Sequence, residues 1–134
     1  KAPLVNLDLR LLDAACPAPR GEDQRDGRSD YYFRGDPKTF IRNVPHFYRL
    51  RYAQAWPGVD VLVRGWEGTI ELSLAVAAGA DLTAVRFEWA SGSPRVLGDG
   101  SVLVVAPWGV FRQTPAASAG RRWRLDGERR AILA

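Results

Sequence analysis

Few residues in this chain are suited to catalysis. His46 is the sole histidine and Cys16 the sole cysteine, so neither an intrachain disulfide nor a cysteine-histidine zinc site can be assembled from it. Serine-histidine chemistry would have to use His46, which follows Pro45 and opens an aromatic stretch, Phe47-Tyr48. No Gly-x-Ser-x-Gly elbow or glycine-rich phosphate loop accompanies it. The candidate acids are Asp36, Asp60, Glu67, Glu71 and Asp81. A glycosidase needs two carboxyls about 5–10 Å apart across a cleft, and Asp36 and Asp81 read more simply as cap and turn residues. Asp99 and Asp126 each stand in an Asp-Gly turn, but one carboxylate per turn is far from the six to eight oxygens that calcium takes. Cys16, in Ala15-Cys16-Pro17, reads as a small apolar loop residue rather than a reactive thiol. The expectation is a protein that is not an enzyme and holds no cofactor and no metal.

Binding chemistry is better supplied. Five tryptophans occur in 134 residues. Trp66 and Trp108 fall in Gly-flanked turns, where an indole is harder to bury than on a strand, and exposed indoles stack on sugars or fill a partner's pocket. Trp56 and Trp123 are undecided and join them as a candidate binding surface, while Trp89 lies on the inward alternation of its strand. The competing reading makes the turn tryptophans lids over the ends of a core.

The elements that must carry these residues follow a period of two. Val5, Leu7, Leu9 and Leu11 alternate with Asn6, Asp8 and Arg10; Ile70, Leu72, Leu74 and Val76 with Glu71, Ser73 and Ala75; Val85, Phe87 and Trp89 with Arg86 and Glu88. Each pattern predicts a strand with one buried face. Gly98-Asp99-Gly100 and Asp126-Gly127 predict hairpins, with Asp-Gly as the central pair of a type I′ turn. Gly65-Trp66-Glu67-Gly68, Pro57-Gly58 and Pro107-Trp108-Gly109 mark further strand-to-strand turns. Residues 13–30, with Pro17, Pro19, Gly21 and Gly27 among charges, read as a long surface loop. One helical turn is expected near 37–42, with Asp36 as N-cap and Pro37 preset at the first position. The predicted fold is all-β, a β-sandwich-like stack of antiparallel sheets of short strands, in a single domain over residues 1–134.

The net charge is +4, and all 19 basic residues except Lys1 and Lys38 are arginine. These arginines interleave with Asp8, Asp13, Glu22, Asp23, Asp26 and Asp30, and the densest group, Arg121 to Arg130, flanks a predicted turn. That pattern reads as a solvated surface rather than a nucleic-acid groove. No run approaches the roughly 20 apolar residues of a membrane span. No apolar leader is visible at the start, and with no methionine present Lys1 is expected to be a processed terminus or the start of a fragment.

From Tyr31 onward a series of short motifs carries a resemblance. It comprises Tyr32-Phe33-Arg34-Gly35-Asp36-Pro37 with Phe40, Asn43-Val44-Pro45, Arg51-Tyr52 and Trp56-Pro57-Gly58-Val59-Asp60. Ile70-Glu71-Leu72-Ser73-Leu74, Ala78-Gly79-Ala80-Asp81, Asp99-Gly100 and Gln113-Thr114-Pro115 follow in order. The chain resembles the uncharacterised β-rich domain near the N-terminus of large secreted bacterial proteins with SBBP-type (β-propeller-like) repeats. Phe40 stands where that pattern has Trp, Ser73 where it has Asp, and Ala78 where it has Pro. The resemblance implies an all-β fold, an extracytoplasmic location (secreted, cell surface or periplasmic) and a non-catalytic accessory role. The expected function is therefore a β-module for protein–protein interaction or assembly, its partners being other protein chains or domains met through sheet edges, including the terminal strand Ala131–Ala134. The alternative is a carbohydrate-binding module using exposed tryptophans.

Overall fold

In the computed structural model, residues 8–15, 17–33, 35–106, 109–114, 123–125 and 130–133 are described, with backbone alone for Trp66, Thr69, 123–125 and 130–133. The fold is all-β with antiparallel sheets, as the period-two pattern predicts. Its strands are β1 Leu9–Leu12, β2 Arg20–Tyr31, β3 Ile41–Trp56, β4 Val59–Trp66, β5 Thr69–Val76, β6 Arg86–Trp89, β7 Ser93–Val96, β8 Val102–Ala106, β9 Gly109–Gln113, β10 Trp123–Leu125 and β11 Arg130–Leu133. The chain divides into two compact units, one of Lys1–Ala15, Trp56–Gly58 and Ala78–Ala134, the other of Cys16–Ala55 and Val59–Ala77.

The first unit holds a four-stranded sheet in the order β1-β6-β11-β10 and a three-stranded sheet β7-β8-β9. Alternation buries one face of each: Phe87 and Trp89 on β6, Val102, Val104 and Ala106 on β8. Strand β10 touches β7, linking the two sheets. Gly92, at φ +89, leads into β7, and a Cβ there would lie 2.7 Å from Val104 Cγ1 and 3.0 Å from the Val105 carbonyl oxygen. Only glycine fits both that conformation and that gap. Trp56 belongs to this core. It is 2 % exposed, packs edge-on at 5.8 Å from Phe87 and donates its indole N–H to the Leu12 carbonyl at 3.0 Å.

The second unit is one sheet in the order β2-β3-β4-β5. Pro57-Gly58 turns β3 into β4, Gly58 supplying φ 74. Glu67-Gly68 turns β4 into β5 with φ 45 and 77, the paired positive values of a type I′ turn. Since β4 has eight residues to the sixteen of β3, it covers about half of β3. The Ile41 half continues as a two-stranded ribbon with β2. Pro45 sits in that half, where a missing N–H costs no second ladder.

Several expectations are corrected. Residues 13–30 are not one loop, because Arg20 onward forms β2, paired with β3 from Arg20↔Arg51 to Tyr31↔Ile41. The turn-like composition instead makes bulges: Asp23 and Gly27 take φ 54 and 91, and the register shifts between Gln24 and Arg28. The helical turn is a 3-10 turn of Pro37–Thr39 only, capped by Asp36 as expected, because β3 claims the chain from Ile41. Asp99-Gly100 is not type I′. Gly100 alone has positive φ, its N–H bonds the Leu97 carbonyl at 2.9 Å and Leu97 N–H bonds the Ser101 carbonyl at 2.8 Å. That is a three-residue loop, a turn plus a glycine bulge. Strand β11 is interior, between β6 and β10, so the terminal strand offers no free edge. Val5, Leu7, Cys16, the Pro107-Trp108 turn and Asp126-Gly127 lie outside the described residues.

Trp56→Ala is expected to cost about 3–5 kcal/mol, the usual loss for a buried large aromatic. Trp56→Phe should cost less, about 1–3 kcal/mol, mostly from leaving the Leu12 carbonyl unpaired. Chemical denaturation checks both, and an unchanged midpoint for Trp56→Ala would contradict this packing.

Candidate functional site

The ribbon of β2 and β3 is built from residues that neither face buries. Its far end carries Tyr31, Tyr32, Phe33 and Ile41, all about half exposed or more, with Tyr32 at 61 %. Local bonds hold this end in shape. Asp30 accepts the Asn43 N–H at 2.7 Å and the Tyr32 hydroxyl at 2.9 Å. Asn43 is at φ 61, and Arg28 donates to its carbonyl at 3.1 Å. Tyr32 meets Phe40 edge-on at 5.1 Å, and the Arg42 guanidinium lies 5.6 Å over the Tyr32 ring. Asp36 accepts the Lys38 N–H at 2.9 Å and so fixes the turn that returns Phe40 to Tyr32. The bond from Asn43 N–H, then that from Tyr32, holds the Asp30 carboxyl below its ordinary range, while Asp30 pushes the Tyr32 phenol up. The outcome is an aromatic end patch bordered by an arginine, in which the Tyr32 ring is held by Asp30, Phe40 and Arg42 before any partner arrives.

At the base of the ribbon stands a second cluster. Arg51 on β3 donates to Glu22 on β2 at 2.5 Å and to Asp60 on β4 at 2.8 Å. Arg49 reaches Glu22 at 2.7 Å and Asp23 at 3.2 Å. The other Asp60 oxygen accepts the Gln54 N–H at 2.8 Å, where φ is 52. Arg51 therefore does not extend freely into solvent. It lies half-buried between two carboxylates and staples three strands. These bonds depress both carboxyls. For Glu22 the Arg51 bond dominates; for Asp60 the Gln54 N–H comes first and Arg51 second.

The remaining candidate groups have local roles. Glu71 pairs with Arg64 across the β4–β5 ladder, Asp81 caps a short turn through Thr83, Asp99 accepts the Ser101 N–H, and Glu67 sits in its exposed hairpin turn. His46 bonds Ser29 across the ribbon at 2.7 Å, a cross-strand contact with no carboxylate bonded to the ring among the described residues. Among those residues no three acidic, histidine or cysteine groups converge on a possible metal position. Of the four candidate tryptophans, Trp56 is core and is removed from the binding surface. The backbone places Trp66 at the end of β4 and Trp123 on β10. Their side chains, and Trp108 altogether, lie outside the described residues. The exposed aromatics of the ribbon end are not among the candidate residues of the sequence analysis. The signal was present in Tyr31-Tyr32-Phe33 beside a capped turn, a run of three aromatics where chain reversal leaves no core to receive them.

Carboxylates whose folded values lie below their unfolded ones contribute stability above an unfolded value of about 4 and lose it as pH falls through the folded value. Glu22, Asp30 and Asp60 all have this sign. Denaturant midpoints should therefore be flat above about pH 5 and drop below about pH 4. Asp60→Asn should be less stable than the parent at pH 7, with the gap narrowing at pH 3. An equal gap at both pH values would contradict the charged clamp.

No curated protein and no solved structure matches the chain. A protein-family comparison does, over residues 2–122, with a domain of unknown function, DUF7948. The match spans nearly the whole sequence, and it includes both the ribbon-end residues and the Arg51–Asp60 clamp; the chain is a member of the DUF7948 family.

Proposed function

We propose that this protein is a non-catalytic β-module that binds another protein chain through the aromatic end of the β2–β3 ribbon. The observation that carries the reading is the exposed patch of Tyr31, Tyr32, Phe33 and Ile41, with Tyr32 held in place and Arg42 at its border. Aromatic residues and arginine are the types enriched where partners meet, and fixing them beforehand lowers the ordering cost of binding. That Asp36, Asp60, Glu71 and Asp81 are each engaged by a cap or an ion pair supports a binding over a catalytic role. An extracytoplasmic setting, as an accessory domain of SBBP-type repeat proteins, is the context we propose from the motif resemblance. Among the described residues no helix is long and apolar enough to cross a membrane.

A carbohydrate-binding role is the second reading, and exposed tyrosine rings at the ribbon end would suit it as well as tryptophans. One face of Tyr32 is already taken by Arg42, which leaves less open ring for a sugar.

The test is site-specific photocrosslinking from position 33 in the cells that make the protein, beside a control from exposed Val110. The expected result is a discrete protein adduct from position 33 that falls at least tenfold in a Tyr31→Ala/Tyr32→Ala variant of unchanged fold. Glycan-array binding lost in that same variant, without a protein adduct, would replace this reading with the sugar one.

A further inference from the structure

The two edges of the β2-β3-β4-β5 sheet are built differently. The β2 edge carries Arg20, Glu22, Asp23, Arg25, Asp26, Arg28 and Asp30, and its ladder is broken by two positive-φ residues and by register shifts. Charges and bulges of this kind keep foreign strands from adding to a sheet. The β5 edge has none of these devices. Thr69–Val76 contains no glycine, no proline and no positive φ, and it pairs with β4 in unbroken register for all eight residues. Its one charge, Glu71, is held by Arg64 on β4. Among the described residues no strand lies beyond it.

The groups this edge presents follow from its hairpin. Residues flanking a two-residue turn form a hydrogen-bonded pair, here Trp66↔Thr69, and such pairs alternate with non-bonded ones along an antiparallel ladder. Ile70, Leu72, Leu74 and Val76 therefore aim their N–H and C=O groups away from β4. The same four residues share one side-chain face, where Ile70 is 77 % and Val76 44 % exposed.

We propose that β5 pairs antiparallel with β5 of a second copy of this chain about a two-fold axis at Ser73, joining two four-stranded sheets into one of eight. This goes beyond the ribbon-end reading, since β5 is the opposite edge of the sheet from β2. In that register Ile70 lies opposite the partner's Val76 and Leu72 opposite the partner's Leu74. Every outward N–H and C=O from Ile70 to Val76 then finds a mate, and the four outward apolar side chains form cross-strand apolar pairs. Charge disfavours one competing register. Glu71 lies opposite the partner's Ala75, whereas a slip of four residues would set Glu71 against Glu71. The contact is isologous, so it closes at two copies instead of growing into a fibre.

Ser73 alone meets its own copy across the axis, and that gives the test. Sedimentation equilibrium of the full chain should show a monomer–dimer equilibrium. Ser73→Lys and Ser73→Glu should each weaken it at least tenfold, because like charges then face each other. An equimolar mixture of the two should recover a mixed dimer at least as tight as the parent. Each variant's circular dichroism should match the parent, as befits a residue whose one side-chain bond, to Glu71, is a long 3.3 Å. If Ser73→Lys does not fold, Ser73→Thr and a Ser73→Cys disulfide trap in a Cys16→Ser background read the same axis. Thiol pairing at position 73 but not at position 75 is then expected. A strict monomer at about 1 mM, far above the concentrations at which specific dimers form, would overturn the β5 proposal. So would a dimer indifferent to both charges and their mixing. Neither result touches the crosslink from position 33, so the ribbon-end reading stands or falls separately.

Discussion

The second unit depends on one guanidinium. Arg51 is shared between Glu22 and Asp60, and so connects β2, β3 and β4 at the point where the sheet narrows to a two-stranded ribbon. A two-stranded ribbon with both faces solvated is marginal by itself. Beyond the clamp there is almost no apolar burial among the described residues to stabilise it; the buried ones of that sheet, Ala55, Trp56, Val59 and Val61, all lie on the clamp side. Single exposed ion pairs contribute little. This one is half-buried, forked, and coupled through Asp60 to the Gln54 N–H, where φ is 52.

Seen from that clamp, the polar residues of the ribbon act as a frame for its aromatic end. Glu22 with Arg49 and Arg51, then Ser29 with His46, then Asp30 with Asn43 and Tyr32, succeed one another along the ribbon as cross-strand or near-strand bonds. Arg25 over Tyr48 at 4.6 Å adds a packed pair on the way. Each holds a side chain that would otherwise wave in solvent. A surface fixed in this manner loses little freedom on meeting a partner.

How much of this was legible in the sequence depended on whether burial or pairing made the element. Strand β6, its inward Phe87 and Trp89, and the β4–β5 hairpin were plain from alternation and turn residues, because one buried face imposes a period of two. Asp36 and Asp81 as caps were plain as well, since their bonds run to residues two positions on. The β2 strand was hidden: it buries no face, so its polarity does not alternate, and Gly27 and Asp23 serve as bulges in it rather than as breakers. Arg51 and Asp60 each stood inside a recognisable short motif, but nothing local says that the two motifs meet across β3 and β4. Trp56 went the same way, as a turn-adjacent indole that the chain folds into a core 44 residues distant, at Leu12.

Amide hydrogen exchange on Arg51→Met, which keeps the stem and deletes the charge, tests this picture most directly. If the clamp governs the ribbon, exchange should rise severalfold from Glu22 through Asn43 while Phe87 and Val104 amides keep their parental protection. Ribbon amides that exchange at the parental rate in that variant would show that something other than the shared guanidinium holds the aromatic end in place.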